Sequence, residues 1–159
     1  MDLTLPLDYA AIERILLHRY PFLFVDRITE FEVDKRIVGI KNVSLNERYL
    51  SPAVKGGRPV LPPTILTEAV AQVGAIMILA KPENRQRLIF FAGIERVRYR
   101  RPVHAGDVVS SVVSVDEIRE LAGNDVITFR CDVTDADGET VATTRATLVG
   151  RAEPDGGDA

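Results

Sequence analysis

The chain has 159 residues, with 20 basic and 23 acidic side chains for a formal net charge of −3, and a single cysteine. That length suits one domain with a genuine core. The near balance of charge gives no footing for nucleic acid or an anionic membrane surface, and one thiol excludes an internal disulfide. The first residues, M-D-L-T-L-P-L-D, lack the basic region and apolar run of a secretory signal, which points to the cytoplasm.

Asp8 to Leu17 predicts a short amphipathic helix, capped by Asp8 and burying Ile12, Ile15 and Leu16. Pro21 ends it within H-R-Y-P-F-L-F-V-D-R (His18 to Arg27). Ile28 to Ser44 reads as strand on either side of a polar turn near Asp34–Lys35. Asn46 to Gly57, with Pro52, Gly56 and Gly57, reads as a loop.

The chain is organised around the next stretch. Thr64 to Ala80 predicts one helix, with Pro62 and Pro63 where a first turn tolerates missing N–H groups and Pro82 as its stop. It is apolar on nearly every side, the mark of a buried helix. Glu68 and Gln72 leave too short a clean run for a membrane span, which needs about 20 apolar residues. Thr64, Glu68 and Gln72 recur every fourth residue and share a face. A carboxylate on a buried helix needs a partner or a function. The plain alternative is that Glu68 and Gln72 bond each other, or a neighbouring loop, and do no chemistry.

After Pro82 the period becomes two. Leu88 to Arg101 alternates, with Val97 and Tyr99 opposite Arg96, Arg98 and Arg100. Gly106–Asp107 turns the chain into Val108 to Leu121. Gly123–Asn124 is predicted as the next turn, and Asp125 to Asp135 as the next strand. Asp137–Gly138 signals a hairpin into Thr140 to Val149. Cys131 alternates with Ile127, Phe129 and Val133 and reads as a buried, inert thiol. Residues 1–150 are expected to form a single domain, followed by a disordered polar tail over 151–159. The order of elements predicts an α+β fold, a curved antiparallel sheet wrapped around one long central helix. An exposed edge of that sheet would invite a second copy.

Four blocks in register carry a resemblance: H-R-Y-P-F-L-F-V-D-R, I-K-N-V-S-L-N-E, R-P-V-L-P-P-T-I-L-T-E-A-V-A-Q and F-A-G-I-E-R-V-R-Y-R-R-P-V-H-A-G-D. Over Ile15 to Gly150 the chain resembles the bacterial 3-hydroxyacyl-acyl-carrier-protein dehydratases of the FabZ type. The resemblance implies a hotdog fold and a dimer with a continuous sheet, often assembled into a hexamer. It also implies an acyl tunnel between protomers, here involving Pro62, Pro63, Thr64, Gln72 and Phe91. In that family a histidine takes the α-proton. An acid on the central helix of the other protomer assists departure of the hydroxyl, and backbone N–H groups at the helix start polarise the thioester carbonyl. The acid maps onto Glu68.

The histidine does not map. The family's G-H-F-P-G-R-P-V-M-P-G stands here as A-V-K-G-G-R-P-V-L-P-P, which puts Val54 or Ala53 at the vacated base position. The glycine of M-P-G is Pro63, which has no N–H. The two histidines of the chain are His18, in a block the family uses for packing and interfaces, and His104, in the turn before Gly106. Losing a general base costs about 10²–10⁴ in rate, and losing one oxyanion donor about 10²–10³.

The resemblance and its two departures together imply a dehydratase-like protein of fatty-acid or polyketide-type acyl-thioester metabolism. It would bind acyl carrier protein through Lys55 and Arg58 and lack dehydratase activity of its own. It would act as a homo-oligomer or as the partner of an active relative. Three readings stand beside this one: a thioesterase using Glu68, an acyl-binding or structural module, and an active dehydratase with a relocated base. No metal-ligand cluster, phosphate loop or nucleotide motif is visible, so neither metal nor cofactor is expected.

Overall fold

The computed structural model of the chain describes residues 4–52 and 57–151. The expectations placed on Ala53, Val54 and Lys55, and on the tail beyond Arg151, therefore lie outside the described residues.

The first helix, α1 (Tyr9–Glu13), is capped as its sequence requires: the Ala11 N–H donates to Asp8 Oδ1 at 2.8 Å. It is shorter than Asp8–Leu17. From Arg14 the bonds tighten to Arg14 N–H on Ala11 O and Ile15 N–H on Ile12 O, and the chain turns while still burying Ile12, Ile15 and Leu16. Strands β1 (Arg27–Glu32) and β2 (Arg36–Asn42) follow. Their turn places Asp34 at φ 60°, a left-handed conformation that Asp tolerates better than most residues.

Beyond the loop come β3 (Val60–Leu61), the central helix α2 (Pro63–Leu79) and a 3-10 turn (Pro82–Asn84). Then β4 (Leu88–Tyr99), β5 (Val103–His104), β6 (Val108–Leu121), β7 (Asn124–Thr134) and β8 (Thr140–Arg151) complete the chain. Six strands form one antiparallel sheet in the order β1-β2-β6-β7-β8-β4, and β3 pairs with β5 apart from it. This is the hotdog arrangement expected from the sequence. Strand β8 reaches Arg151, opposite Leu88, two residues beyond the predicted Val149.

One turn differs from expectation. Leu121 pairs with Asn124, so the two-residue loop is Ala122–Gly123, at φ 50° and 76°, and not Gly123–Asn124. A hairpin of this kind needs positive φ at both central positions. Asn124 instead starts β7, and its side-chain amide donates to the carbonyls of Leu121 and Ala122 at 3.2 Å.

Helix α2 starts with Pro62 as its cap residue and Pro63 at the first helical position. At its other end the Asn84 side chain donates to Ile78 O at 3.2 Å, satisfying a carbonyl the helix leaves open. Lys81 reaches across to Asp34 in the β1–β2 turn. Leu66 and every residue from Ala69 to Leu79 are buried against β2, β6, β8 and β4. No helix among the described residues is long and apolar enough to cross a membrane.

Close approach of helix and sheet depends on glycine. A Cβ on Gly39, in the middle of β2, would fall 2.3 Å from Val73 Cγ2. Both edges of the sheet are distinguishable. Leu7 bonds Ile28 in both directions and covers β1. Strand β4 is paired on one side with β8 and exposes Phe90, Ile94 and Tyr99.

Two outcomes follow from this packing. Gly39→Ala overpacks a rigid β-branched neighbour, at a cost of about 1–3 kcal/mol. For a chain of this size its thermal midpoint should therefore fall by roughly 2–10 °C, read by circular dichroism. Burial, with the Asp132 charge beside it, holds the Cys131 thiol well above its ordinary range, against a smaller opposing effect from Ser111. Thiol labelling of Cys131 at mildly alkaline pH should therefore track unfolding, with the folded protein unreactive.

Candidate functional site

Helix α2 puts Glu68, Gln72 and the small residues Ala71 and Ala75 on one wall of a cavity of about 300 Å³. His18 and Phe22 come to it from the segment before β1, Ile89 and Phe91 from β4, and Leu148 from β8. The chain thus brings together a carboxylate, an imidazole and an otherwise apolar lining.

Gln72 organises this wall. Its side chain is 1% exposed and every polar atom is used. The carbonyl accepts the Phe24 N–H at 2.8 Å. The amide donates to Phe22 O at 2.9 Å and to Glu68 Oε1 at 3.0 Å. The contact between Glu68 and Gln72 raised from the four-residue spacing exists, and so does the bond to a neighbouring loop. No described residue bonds the second carboxylate oxygen of Glu68.

The imidazole of His18 stands with Nε2 3.7 Å from Glu68 Oε1. That is an electrostatic contact, longer than a hydrogen bond. Nδ1 is buried and has no hydrogen-bond partner among the described residues. Phe22 stacks beside the ring at 6.1 Å and contacts Phe24 edge-on at 4.8 Å. Behind them Tyr49 packs on Phe24, and Lys41 Nζ lies 5.5 Å over the Phe24 ring while bonding Glu47 at 2.9 Å. This pair ties the loop that leads toward residue 53 to the segment carrying His18.

Of the tunnel residues expected from the resemblance, Gln72 and Phe91 line the cavity. Pro62, Pro63 and Thr64 lie at the start of α2 and are not part of its lining. Near that end the Thr67 hydroxyl bonds both Pro63 O, at 3.3 Å, and the Tyr99 hydroxyl. Arg58 is largely exposed and pairs with Asp107 at 3.2 Å. With His104 it borders a different, more polar cavity of about 430 Å³. The His104 ring contacts Pro59 O through Nδ1 at 3.2 Å, so neither of its two surroundings includes Glu68.

Sequence reasoning gave His18 mainly to packing and kept it, with His104, as a candidate substitute base; its place beside Glu68 is concealed by a separation of 50 positions. Ile89 and Leu148 were missed for the same reason. Ala71 and Ala75 carried a readable signal, as small residues three and seven positions after Glu68 on its own face. No cluster of three metal-binding side chains occurs among the described residues.

A hotdog sheet around a buried helix, with a carboxylate on that helix facing an apolar cavity, defines the class: a hotdog-fold protein related to enzymes of acyl-thioester metabolism. A family model described as the FabA-like domain matches residues 16–145. The 3-hydroxyacyl-[acyl-carrier-protein] dehydratase FabZ of Desulforamulus reducens is 50% identical over 117 residues, 74% of this chain and 82% of that protein. The FabZ of Thermomicrobium roseum is 45% identical over the same length, 74% of this chain and 78% of its own. The chain belongs to this FabZ-like dehydratase family. Among solved structures, the dehydratase heterocomplex ApeI:P from Xenorhabdus doucetiae shares the fold, with a TM-score of 0.74 and 17% identity over 89% of this chain and 91% of that one.

Gln72 tests the organisation of the site. Gln72→Leu strands the Phe24 N–H and the Phe22 carbonyl, at about 1–3 kcal/mol for each group left unsatisfied, so the denaturation midpoint should fall. Gln72→Glu should be pH-dependent. It sets a second carboxylate against Glu68, raising the pair's folded-state titration above the unfolded value. Stability is then retained at low pH and lost as pH rises through the folded value. The deficit against the parent should be larger at about pH 8 than at about pH 4, measured by urea unfolding at each.

Proposed function

We propose that this chain binds an acyl thioester as a dehydratase-type subunit and does not dehydrate 3-hydroxyacyl thioesters unaided. It works beside a relative that supplies the base. The observation that carries this reading is Pro63 at the first helical position of α2. Dehydration puts negative charge on the thioester carbonyl as the α-proton leaves, and a helix N-terminus stabilises that charge through its free N–H groups. Proline removes one of them. In the sequence, Ala53 or Val54 stands where the family's histidine would be, and neither accepts a proton.

The acid is retained. Gln72 bonds one oxygen of Glu68, and Glu68 lines the cavity, where its carboxyl, when protonated, is placed to give a proton to a departing hydroxyl. A subunit with the acid and without the base complements a partner that has the histidine. The Xenorhabdus doucetiae structure is, by its name, a dehydratase heterocomplex, the kind of assembly proposed here. Arg58, exposed at the start of the segment leading to α2, and Lys55 are assigned to contact an acidic acyl carrier protein.

The 3.7 Å contact favours a second reading, in which His18 is a relocated base. The tautomer argues against it. To act as a base, Nε2 must carry the lone pair, so the proton must sit on Nδ1, which is buried with no acceptor among the described residues. The opposite tautomer points an N–H at the Glu68 carboxylate and is the one this environment favours.

The assay is dehydration of a 3-hydroxyacyl-pantetheine thioester, first by the purified chain and then with a histidine-bearing relative. The chain alone should show no turnover. The mixture should turn over, and Glu68→Gln in this chain should lower that rate by about 10²-fold or more. Robust turnover by the chain alone, abolished by His18→Gln, would establish the second reading instead. An indifferent Glu68→Gln in the mixture would remove the proposed loan of the acid.

A further inference from the structure

Three arginines at one edge of the sheet lack the counter-charge that others on it have. Arg130 pairs with Asp116, Arg145 with both Asp116 and Glu95, Arg36 with Glu30, and Arg101 with Asp135. Arg96 and Arg98 on β4, and Arg100 just past its end, are exposed. Their guanidinium groups have no ion-pair or hydrogen-bond partner among the described residues. The register puts all three on one face. Val97 and Tyr99 stand opposite Thr144 and Ala142, which are buried, so the arginines that alternate with them point away from the core. Arg100 keeps the pattern by donating its backbone N–H to Val141 O at 2.9 Å.

We infer that this stripe on the outer face of β4 docks an acidic helix of the protein that delivers the acyl thioester. The inference rests on the acyl-thioester reading above. The chain carries a net charge of −3, so an acidic protein is repelled on average and settles only where the local field is reversed. Alternate residues of an antiparallel strand are about 6.8 Å apart, so Arg96 to Arg100 spans about 14 Å. Carboxylates at every fourth residue of a helix are about 6 Å apart, and three of them span about 12 Å. Long arginine side chains absorb that difference, and each guanidinium can hold a carboxylate through two N–H groups. A polybasic membrane site uses about four to eight basic residues, more than the stripe supplies.

The position of the stripe fits the same role. Tyr99, between Arg98 and Arg100 but on the opposite face, bonds Thr67 early in α2. A helix docked on the arginines therefore lies behind the strand that flanks the start of α2, the end assigned above to the thioester carbonyl. Arg58, given to the same partner, already shares its charge with Asp107, so the attraction left uncompensated comes from β4. Neighbouring carboxylates do not cancel it. Glu95 is engaged with Arg145 at 3.3 Å. Asp132 faces Arg98 across Thr143, two strands away and about 10 Å distant.

The experiment measures binding of a bacterial acyl carrier protein, loaded with a saturated acyl group, to the full chain by calorimetry at low and at moderate salt. Arg96→Gln, Arg98→Gln or Arg100→Gln alone should weaken binding about two- to fivefold. The three together should weaken it about tenfold or more and flatten its dependence on salt. Arg119→Gln, on the β6–β7 hairpin, should change neither quantity. None of the three arginines has a partner among the described residues, so the thermal midpoints of the variants should stay with that of the parent. A single-stranded oligonucleotide bound as tightly as the carrier would overturn the assignment to a helix. Carrier binding that survives the triple substitution would overturn the docking surface and leave the functional reading intact. No binding by the parent chain would overturn both.

Discussion

The site depends on one side chain spanning two parts of the chain that the sequence keeps far apart. Gln72 accepts from Phe24 N–H and donates to Phe22 O and Glu68 Oε1. Two of these bonds, from a residue 1% exposed, tie the central helix to the segment before β1, and the third stays on the helix. That segment has no regular partner for the two backbone groups involved, so the helix supplies them. Everything close to Glu68 follows: the orientation of its carboxylate, the position of His18, and the stacking of Phe22 on the imidazole. A buried polar group with every bond made is rigid, and one left half-satisfied is costly. The same residue therefore serves both stability and the geometry of the site.

The burial of α2 imposes the second constraint. A helix this apolar must have sheet on most of its surface, and the sheet can approach only where side chains are absent. Gly39 opposite Val73 on the β2 side and Gly74 beneath Leu148 on the β8 side make that approach possible from both directions. The cavity is what remains on the stripe where the helix carries alanines and the sheet does not fill the space.

Much of this was legible in the residues because the signals were local. Pro62, Pro63 and Pro82 bracket α2, whose described span differs from the predicted Thr64–Ala80 by one residue at each end. Asp137–Gly138 signalled the hairpin into the last strand, and the structure contains it as the turn between β7 and β8. What was not legible was non-local or very short. The β3–β5 pairing joins two residues to two, too few for a periodic pattern. Hairpin chemistry alone favoured Gly123–Asn124, but the register of long strands on either side chose Ala122–Gly123 and left Ala122 with a positive φ. His18 was recognisable as part of a motif, yet its distance from Glu68 depends on the non-local Gln72 bonds that hold its segment against α2.

The remaining question is what the carboxylate on the central helix and the proline at its start each contribute. Glu68 needs no reaction to be tolerated: its side chain is 28% exposed, accepts the Gln72 amide and faces an imidazole. Its presence alone is therefore weak support for catalysis. Pro63 is more informative because it acts on both scaffold and chemistry. A proline at the first helical position is pre-organised for the helix and costs no intrahelical bond. Relative to the glycine of the family pattern, it also restricts the unfolded chain, an effect worth about 0.4–1 kcal/mol where the backbone fits. The proline that leaves the helix start with one N–H fewer is thus also the residue that strengthens that start.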